Sequence, residues 1–431
     1  MQTMKNKKIS AAADIIKNDL VKSEHYLITV IKWILASALT GLICGIAGTA
    51  FHKCVEFATR LRIENPWLLL LLPFGGFVIA FIYRKTEMTK NAGTNNVISS
   101  VRTSEYVPMR LGPVIFISTV LTHLFGGSAG REGAALQLGG SIGFQIGRLF
   151  KISEKDKHLL VICGMSGVFS ALFGTPVTAA VFSIEVISVG VIYYSGFLPG
   201  LCSATVAYYI SLLCGAEPTR FAVSAVAELS ALNLLRVAAI GAAAALCGIL
   251  FCVCLKQSAK FFGSRIKNYY LRPVLGGFII LAMTFAFKTT DYNGSGTDVI
   301  ARAVEGGSAV PYAFLLKLLF TAVTIGSGFR GGEIVPTMFI GATLGCTLSW
   351  LLGFPPSFGA AVGIAAMFCA VVNCPMASIC LASELFGGGG FFFFAAAIGI
   401  SYVLSGYYGL YSSQKIMYSK LHAEYINRNV N

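Results

Sequence analysis

Apolar stretches of about 20 residues, the length a helix needs to cross a bilayer, recur along this chain from Tyr26 to Tyr408. In hydrocarbon every backbone N–H and C=O must be paired within the protein, so such stretches fold as helices. Only 12% of the residues are charged, roughly half the share of an ordinary globular domain. The pattern predicts an all-α polytopic membrane protein. Leu27 onward reads as a first span and not as a cleavable signal, because it has no small-residue cleavage site and further spans follow.

Residues 1–24 are polar, with Ile9, Ile15, Ile16, Leu20 and Val21 forming the apolar side of an expected amphipathic surface helix. Spans are predicted at 26–52 and 66–84. A polar interval holding Lys90 to Asn96 follows, then an apolar helix from Leu111 to Phe125. Lys151 to His158 reads as a charged connection, after which apolar segments run to Cys214. The expected division is a first transmembrane repeat over 25–214, a linker over 215–232 and a second repeat over 233–410. Residues 411–431 then finish the last helix and form a cytoplasmic tail, too short for a separate regulatory domain.

The formal net charge of +14 would suggest nucleic acid in a soluble protein. Here the excess lies in tails and connections: Lys5, Lys7 and Lys8, Lys85, Arg265 and Lys267, and Lys415 to Arg428. That distribution fits cytoplasmic segments facing acidic lipid, with both termini inside the cell membrane and an even number of crossings. No nucleic-acid partner is expected. The twelve cysteines lie mostly in apolar segments, without CxxC pairs or histidine partners, so neither a disulfide frame nor a metal or other cofactor is expected.

The two halves resemble each other. Gly164 to Pro176, ending in Glu185, can be laid over Gly363 to Pro375, ending in Glu384, with prolines and glutamates both offset by 199 residues. A glycine-rich tract, Gly126-Gly127-Ser128-Ala129-Gly130-Arg131-Glu132-Gly133, has its counterpart near the same offset in Gly331-Gly332-Glu333-Ile334-Val335-Pro336. Matching apolar segments broken by Gly and Pro are the mark of a transporter whose substrate sits where the broken helices meet. Gly133 onward reads as a helix start, which leaves unpaired N–H groups and attracts anions. A carboxylate there, Glu132, is either a plain cap or a tethered anion in a site meant for a mobile one.

Gly130-Arg131-Glu132-Gly133, followed by Gln137 and Gly139-Gly140, resembles the signature of the CLC family of chloride channels and anion/proton antiporters. The Pro176…Glu185 and Pro375…Glu384 elements, the Gly332–Pro336 turn and Tyr411 extend the resemblance over nearly the whole chain. It implies a CLC-type inverted repeat with broken, re-entrant helices and a homodimer with one anion path per subunit. It also implies helix N-termini meeting around the anion.

Three departures resemble the family's fluoride/proton antiporter branch. Gly93-Thr94-Asn95-Asn96 stands where chloride members have Gly-Ser-Gly-Ile-Pro, Glu333 stands in the second-half turn, and Val186 replaces the inner proton-transferring glutamate. The expected function is export of fluoride in exchange for protons; the rival is a chloride/proton antiporter or chloride channel of the same fold. Fluoride holds its water tightly, so its site needs strong donors, and Thr94, Asn95 and Asn96 supply hydroxyl and NH₂ groups. Which of Thr94 and Asn95 faces the ion stays open. Glu132 is expected to fill the anion site as a carboxylate and swing away once protonated. Arg131 is expected to bond nearby carbonyls or orient the loop. Glu333 reads as a second proton and fluoride group, the alternative being a partner for Arg330.

Gly93, Gly130, Gly133, Ile334 and Val335 complete the expected anion-binding set. Tyr411 joins it by resemblance, although an interfacial belt with Tyr402, Tyr407, Tyr408 and Tyr418 would also explain it. Glu185 and Glu384, at repeat-equivalent places, are expected to cap neighbouring helices. An enzyme is not expected: Gly164-Met165-Ser166-Gly167 matches an intramembrane serine-protease motif, but the only histidine after it is His422 in the polar tail.

Overall fold

The computed structural model describes residues 2–431 apart from 90–92 and 104, with the side chains of 1–25, 154 and 155 outside the description. The first half holds α1 (Gln2–Glu64), a 3₁₀ turn (Pro66–Leu71), α2 (Leu72–Lys85), α3 (Thr94–Thr103) and α4 (Leu111–Leu124). It continues with α5 (Glu132–Leu149), α6 (Glu154–Phe173), α7 (Pro176–Glu185), the two-residue strand β1 (Ser188–Val189) and α8 (Phe197–Leu213). An irregular linker leads to Ser230, whose hydroxyl accepts the Asn233 N–H and caps α9 (Ala231–Arg265).

The second half follows with α10 (Leu271–Phe287), α11 (Thr297–Glu305), α12 (Ala313–Ser327) and α13 (Ile334–Leu352). Then come α14 (Pro356–Val372), α15 (Pro375–Phe386) and α16 (Phe391–Leu404), with strands β2 (Lys415–Tyr418) and β3 (Tyr425–Asn429) closing the chain. Among the described residues six helices are long and apolar enough to cross a membrane, and seven more apolar helices are shorter. The short ones are the broken spans that the Gly and Pro pattern predicts.

Glycines set the closest helix contacts. A Cβ at Gly139 would lie 2.1 Å from Gly164 O, joining α5 to α6, and one at Gly341 would lie 2.5 Å from Gly363 O, joining α13 to α14. Both halves thus build the same glycine-to-glycine helix pair, the packing that brings backbones together where lipid supplies no hydrophobic drive.

Four expectations are corrected. α1 is one helix through Glu64, well past 52, and the apolar side expected over 1–24 falls on side chains outside the described residues. Asn95 and Asn96 belong to the first turn of α3 and not to a loop. Most of the connection expected over Lys151–His158 is the start of α6, since Glu154 onward is helical. Finally, the last helix ends at Leu404, so 411–431 contains no helix end. Instead β2 pairs parallel with β1 and antiparallel with β3, because the polar tail satisfies its backbone against the strand after α7.

Candidate functional site

Two loops deliver the first turns of α5 and α13 to the centre of the molecule. Gly130 N–H donates to Gly332 O at 2.7 Å, and Gly332 N–H returns the bond to Gly130 O at 2.6 Å. The approach needs bare backbone: a Cβ on Gly332 would lie 2.5 Å from Gly133 N and 2.8 Å from Glu132 N. The bridge therefore sets the amide-rich starts of two helices, one per half, against each other. Such a junction draws negative charge.

Glu132 fills it. Its buried carboxylate accepts the Arg131 backbone N–H at 2.9 Å, and the N–H groups of Glu132 itself and Val335 also bear on it. Gly130 makes the room, since a Cβ there would lie 2.5 Å from Glu132 Oε2 and 3.2 Å from Val335 Cβ. Glu132 thus accepts amides of α5 and α13 together. The Arg131 guanidinium is placed differently from expectation. It lies 3.7 Å from Glu132 Oε1 and lines a cavity of about 600 Å³, with no hydrogen bond to a carbonyl among the described residues. The loop carbonyls are already paired across the bridge, which leaves the carboxylate as its partner. That cavity, a vestibule lined also by Glu56, Arg62, His123 and Asp298, borders the Glu132 side chain.

Glu333, just ahead of α13, faces the other half. A Cβ on Gly133 would lie 3.0 Å from Glu333 Oε2. No ion pair joins Glu333 to Arg330 among the described residues; the Arg330 guanidinium stands 4.2 Å over the Tyr83 ring. Its backbone carbonyl accepts the Thr337 hydroxyl at 2.9 Å, which fixes the first turn of α13 without using the carboxyl. Ile334 and Val335 are buried and supply main chain to the same junction.

The opening of α3 completes the approach from the other side. Gly93 takes φ +60 and sits against Gln137, where a Cβ would meet Oε1 at 3.3 Å. The Thr94 hydroxyl donates to Gly133 O at 3.2 Å and accepts from Gln137 Nε2 at 3.0 Å, so it is spent bracing α5. Asn95 Oδ1 accepts both the N–H and the hydroxyl of Ser413 at 3.0 Å, and Arg102 holds the Ser413 carbonyl at 3.0 Å. With its oxygen so held, the Asn95 amide turns its NH₂ the opposite way. Asn95 and Asn96 border a cavity of about 690 Å³ with Ser412 and Ser413. Tyr411 is buried, its hydroxyl without a hydrogen-bond partner among the described residues, and lies in electrostatic range of Glu333 and Glu132. Burial in the protein removes it from any interfacial belt.

Gln137 and Ser413 went without a role in the sequence. Gln137 was detectable, one helical turn after Gly133 on α5; Ser413 reaches Asn95 across more than 300 residues and carries no local signal. Glu185 caps α15 through the N–H groups of Met376 (3.2 Å) and Ala377 (2.8 Å), and Glu384 caps α7 through Val177 (3.1 Å) and Thr178 (2.8 Å), as expected. Val186 is fully buried. Ser166 is buried and donates its hydroxyl to Ile162 O at 2.8 Å.

Residues 75–406 match the family described as voltage gated chloride channel. A chloride/fluoride channel protein of Pseudomonas syringae pv. tomato is 34% identical over 398 residues, covering 91% of this chain and 88% of that protein. The H(+)/Cl(-) exchange transporter ClcA of Vibrio cholerae is 26% identical, covering 89% of this chain and 88% of its own. Among solved structures, the crystal structure of a CLC-type fluoride/proton antiporter superposes with a TM-score of 0.86 at 32% identity, covering 89% of this chain and 98% of that one. A slow cyanobacterial Cl-/H+ antiporter shares the fold, with a TM-score of 0.74 at 20% identity.

Proposed function

The chain belongs to the voltage-gated chloride channel (CLC) family of membrane anion transporters, and within it we propose that this protein exports fluoride in exchange for protons. The observation that carries the reading is the pair of carboxyls, Glu132 by Gly130 and Glu333 by Gly133, one from each half, at helix starts joined by the Gly130–Gly332 bridge. The names of the Pseudomonas syringae relative and of the 32%-identical antiporter structure support fluoride as the anion.

In this mechanism the ionised Glu132 holds the amides of Arg131, Glu132 and Val335 as an internal anion. Protonation from the vestibule removes the charge that keeps it there, so the side chain rotates out and a mobile anion takes the amides. The anion arrives past the donor face of Asn95 and Asn96, with the free hydroxyl of Tyr411 available in place of lost water. Glu333 in its acid form is an O–H donor to fluoride and then a proton carrier, which covers for the apolar Val186. Gly93, Thr94 and Gly133 hold this frame, and Arg131 steadies Glu132 between its two positions. The functional unit is a homodimer in the cell membrane with both termini cytoplasmic, built from repeats over 25–214 and 233–410. No cofactor takes part.

The test is anion efflux from liposomes holding purified protein, with fluoride and chloride compared side by side and proton uptake recorded together. Fluoride efflux faster than chloride and accompanied by protons is expected. Chloride exchange with protons, without a fluoride preference, would return the protein to the activity named for its Vibrio cholerae relative.

A further inference from the structure

A second cavity adjoins the vestibule, and the mechanism does not use it. It has a volume of about 840 Å³ and lies between the end of α1 with its 3₁₀ turn and the end of α10. Its lining joins apolar side chains, with Trp67, Leu70 and Phe285 all more than half exposed, to the cations Arg62 and Lys288 and the residues Thr289 and Thr290. A cavity that offers both apolar surface and two cations matches an amphiphile with an anionic head.

The cations are available. Lys288 is exposed in the left-handed cap of α10 (φ 52) and joins no salt bridge among the described residues. Arg62 donates once, from Nη1 to His123 O at 3.3 Å, and has no carboxylate within salt-bridge distance among the described residues. Asp298 acts on it from the vestibule side at longer range. Five N–H donors with one bond made leave capacity for a phosphate.

We propose that this cavity binds an anionic phospholipid of the vestibule-side leaflet, its phosphate on Arg62 and Lys288 and an acyl chain along Trp67, Leu70 and Phe285. Arg62 and Asn293 line both this cavity and the vestibule, so an occupied site changes the charge that the vestibule presents to ions passing Glu132. The proposal stands whether the transported anion is fluoride or chloride.

The three tryptophans make it measurable. With Trp33→Phe and Trp350→Phe, Trp67 is the sole reporter, and lipids brominated in the acyl chain quench it on contact. Reconstitution into phosphatidylcholine vesicles with rising fractions of brominated phosphatidylglycerol should reach half-quenching at about 30-fold lower mole fraction than brominated phosphatidylcholine, the factor two basic residues near acidic lipid supply. Lys288→Gln, an exposed change that leaves packing intact, should remove most of that preference, and Arg62→Gln the rest. Equal quenching by both lipids in the parent, or a preference that survives both substitutions, would overturn the site. Inorganic phosphate added to the mixed vesicles should leave the quenching in place; displacement by phosphate alone would assign the cations to a free anion instead of a lipid.

Discussion

Gly174-Thr175-Pro176 and Asn373-Cys374-Pro375 hold one backbone in two chemical versions. Each begins with a left-handed residue (φ 71 and 57), continues at φ/ψ of −123/77 and −122/78, and opens a helix with proline. Gly174 has no side chain to offer, and Pro218 fills its space, 2.4 Å from where a Cβ would be. Asn373 tolerates the same left-handed turn and uses its amide. Nδ2 donates to Tyr408 O at 3.0 Å and Gln414 Oε1 at 3.3 Å, while Oδ1 accepts Lys420 Nζ at 2.6 Å. The second copy therefore anchors the C-terminal segment that carries Tyr411 and Ser413 through a side chain, whereas the first holds the linker by main chain alone, Pro218 packing on Gly174 and Thr219 N–H donating to Phe173 O at 2.9 Å. The repeat keeps turn geometry, and function enters where a side chain departs from it.

The carboxylates teach the same lesson from the other direction. Glu185 and Glu384 are symmetric: each reaches across to the partner helix and closes on two backbone N–H groups. Glu132 and Glu333 stand near the same offset too, but the proposed function has a mobile anion displace Glu132 from its amides, and Glu333 has no ion pair among the described residues. A carboxylate with its bonds closed on fixed amides is structural. One whose partners are exchangeable can move protons and ions.

Substitutions separate the two pairs. Glu132→Gln keeps the shape and removes the titrating group, so proton uptake driven by a fluoride gradient should fall by about 100-fold or more, as read by pH change outside proteoliposomes. Coupled uptake at the parent rate would place the gate elsewhere. Glu333→Ala should lower fluoride flux by about tenfold to a hundredfold, the worth of one hydrogen bond to a charged group. Glu333→Gln should retain part of the fluoride binding and lose proton transfer; parental transport by Glu333→Ala would make this residue a loop anchor.

Glu185→Ala, by contrast, should cost about 1–3 kcal/mol of stability by leaving the buried start of α15 without an acceptor. It should lower the thermal midpoint in detergent while the fluoride-to-proton ratio stays fixed, and a changed ratio would break the contrast between the pairs. Val186→Ala should have the smallest effect on transport, with coupling intact. Lost coupling in a folded protein would mean that the inner proton route runs past α7 after all.

The sequence by itself determined the class of fold, and it singled out the two glutamate pairs. Those follow from local rules: bilayer length, backbone breaks at Gly and Pro, and the cost of a charge in an apolar segment. Glu132 and Glu333 were legible because each stands as a charge beside glycines within an apolar stretch. The tertiary structure alone decided which oxygen meets which amide. Thr94 turned out to brace Gly133 and Gln137, Arg131 to face its neighbour's carboxylate, and the tail to pair as strands with Ser188–Val189. The 318 residues between Asn95 and Ser413 explain the limit. A hydrogen bond between distant segments depends on how every helix between them packs, and no short stretch of chain encodes that sum.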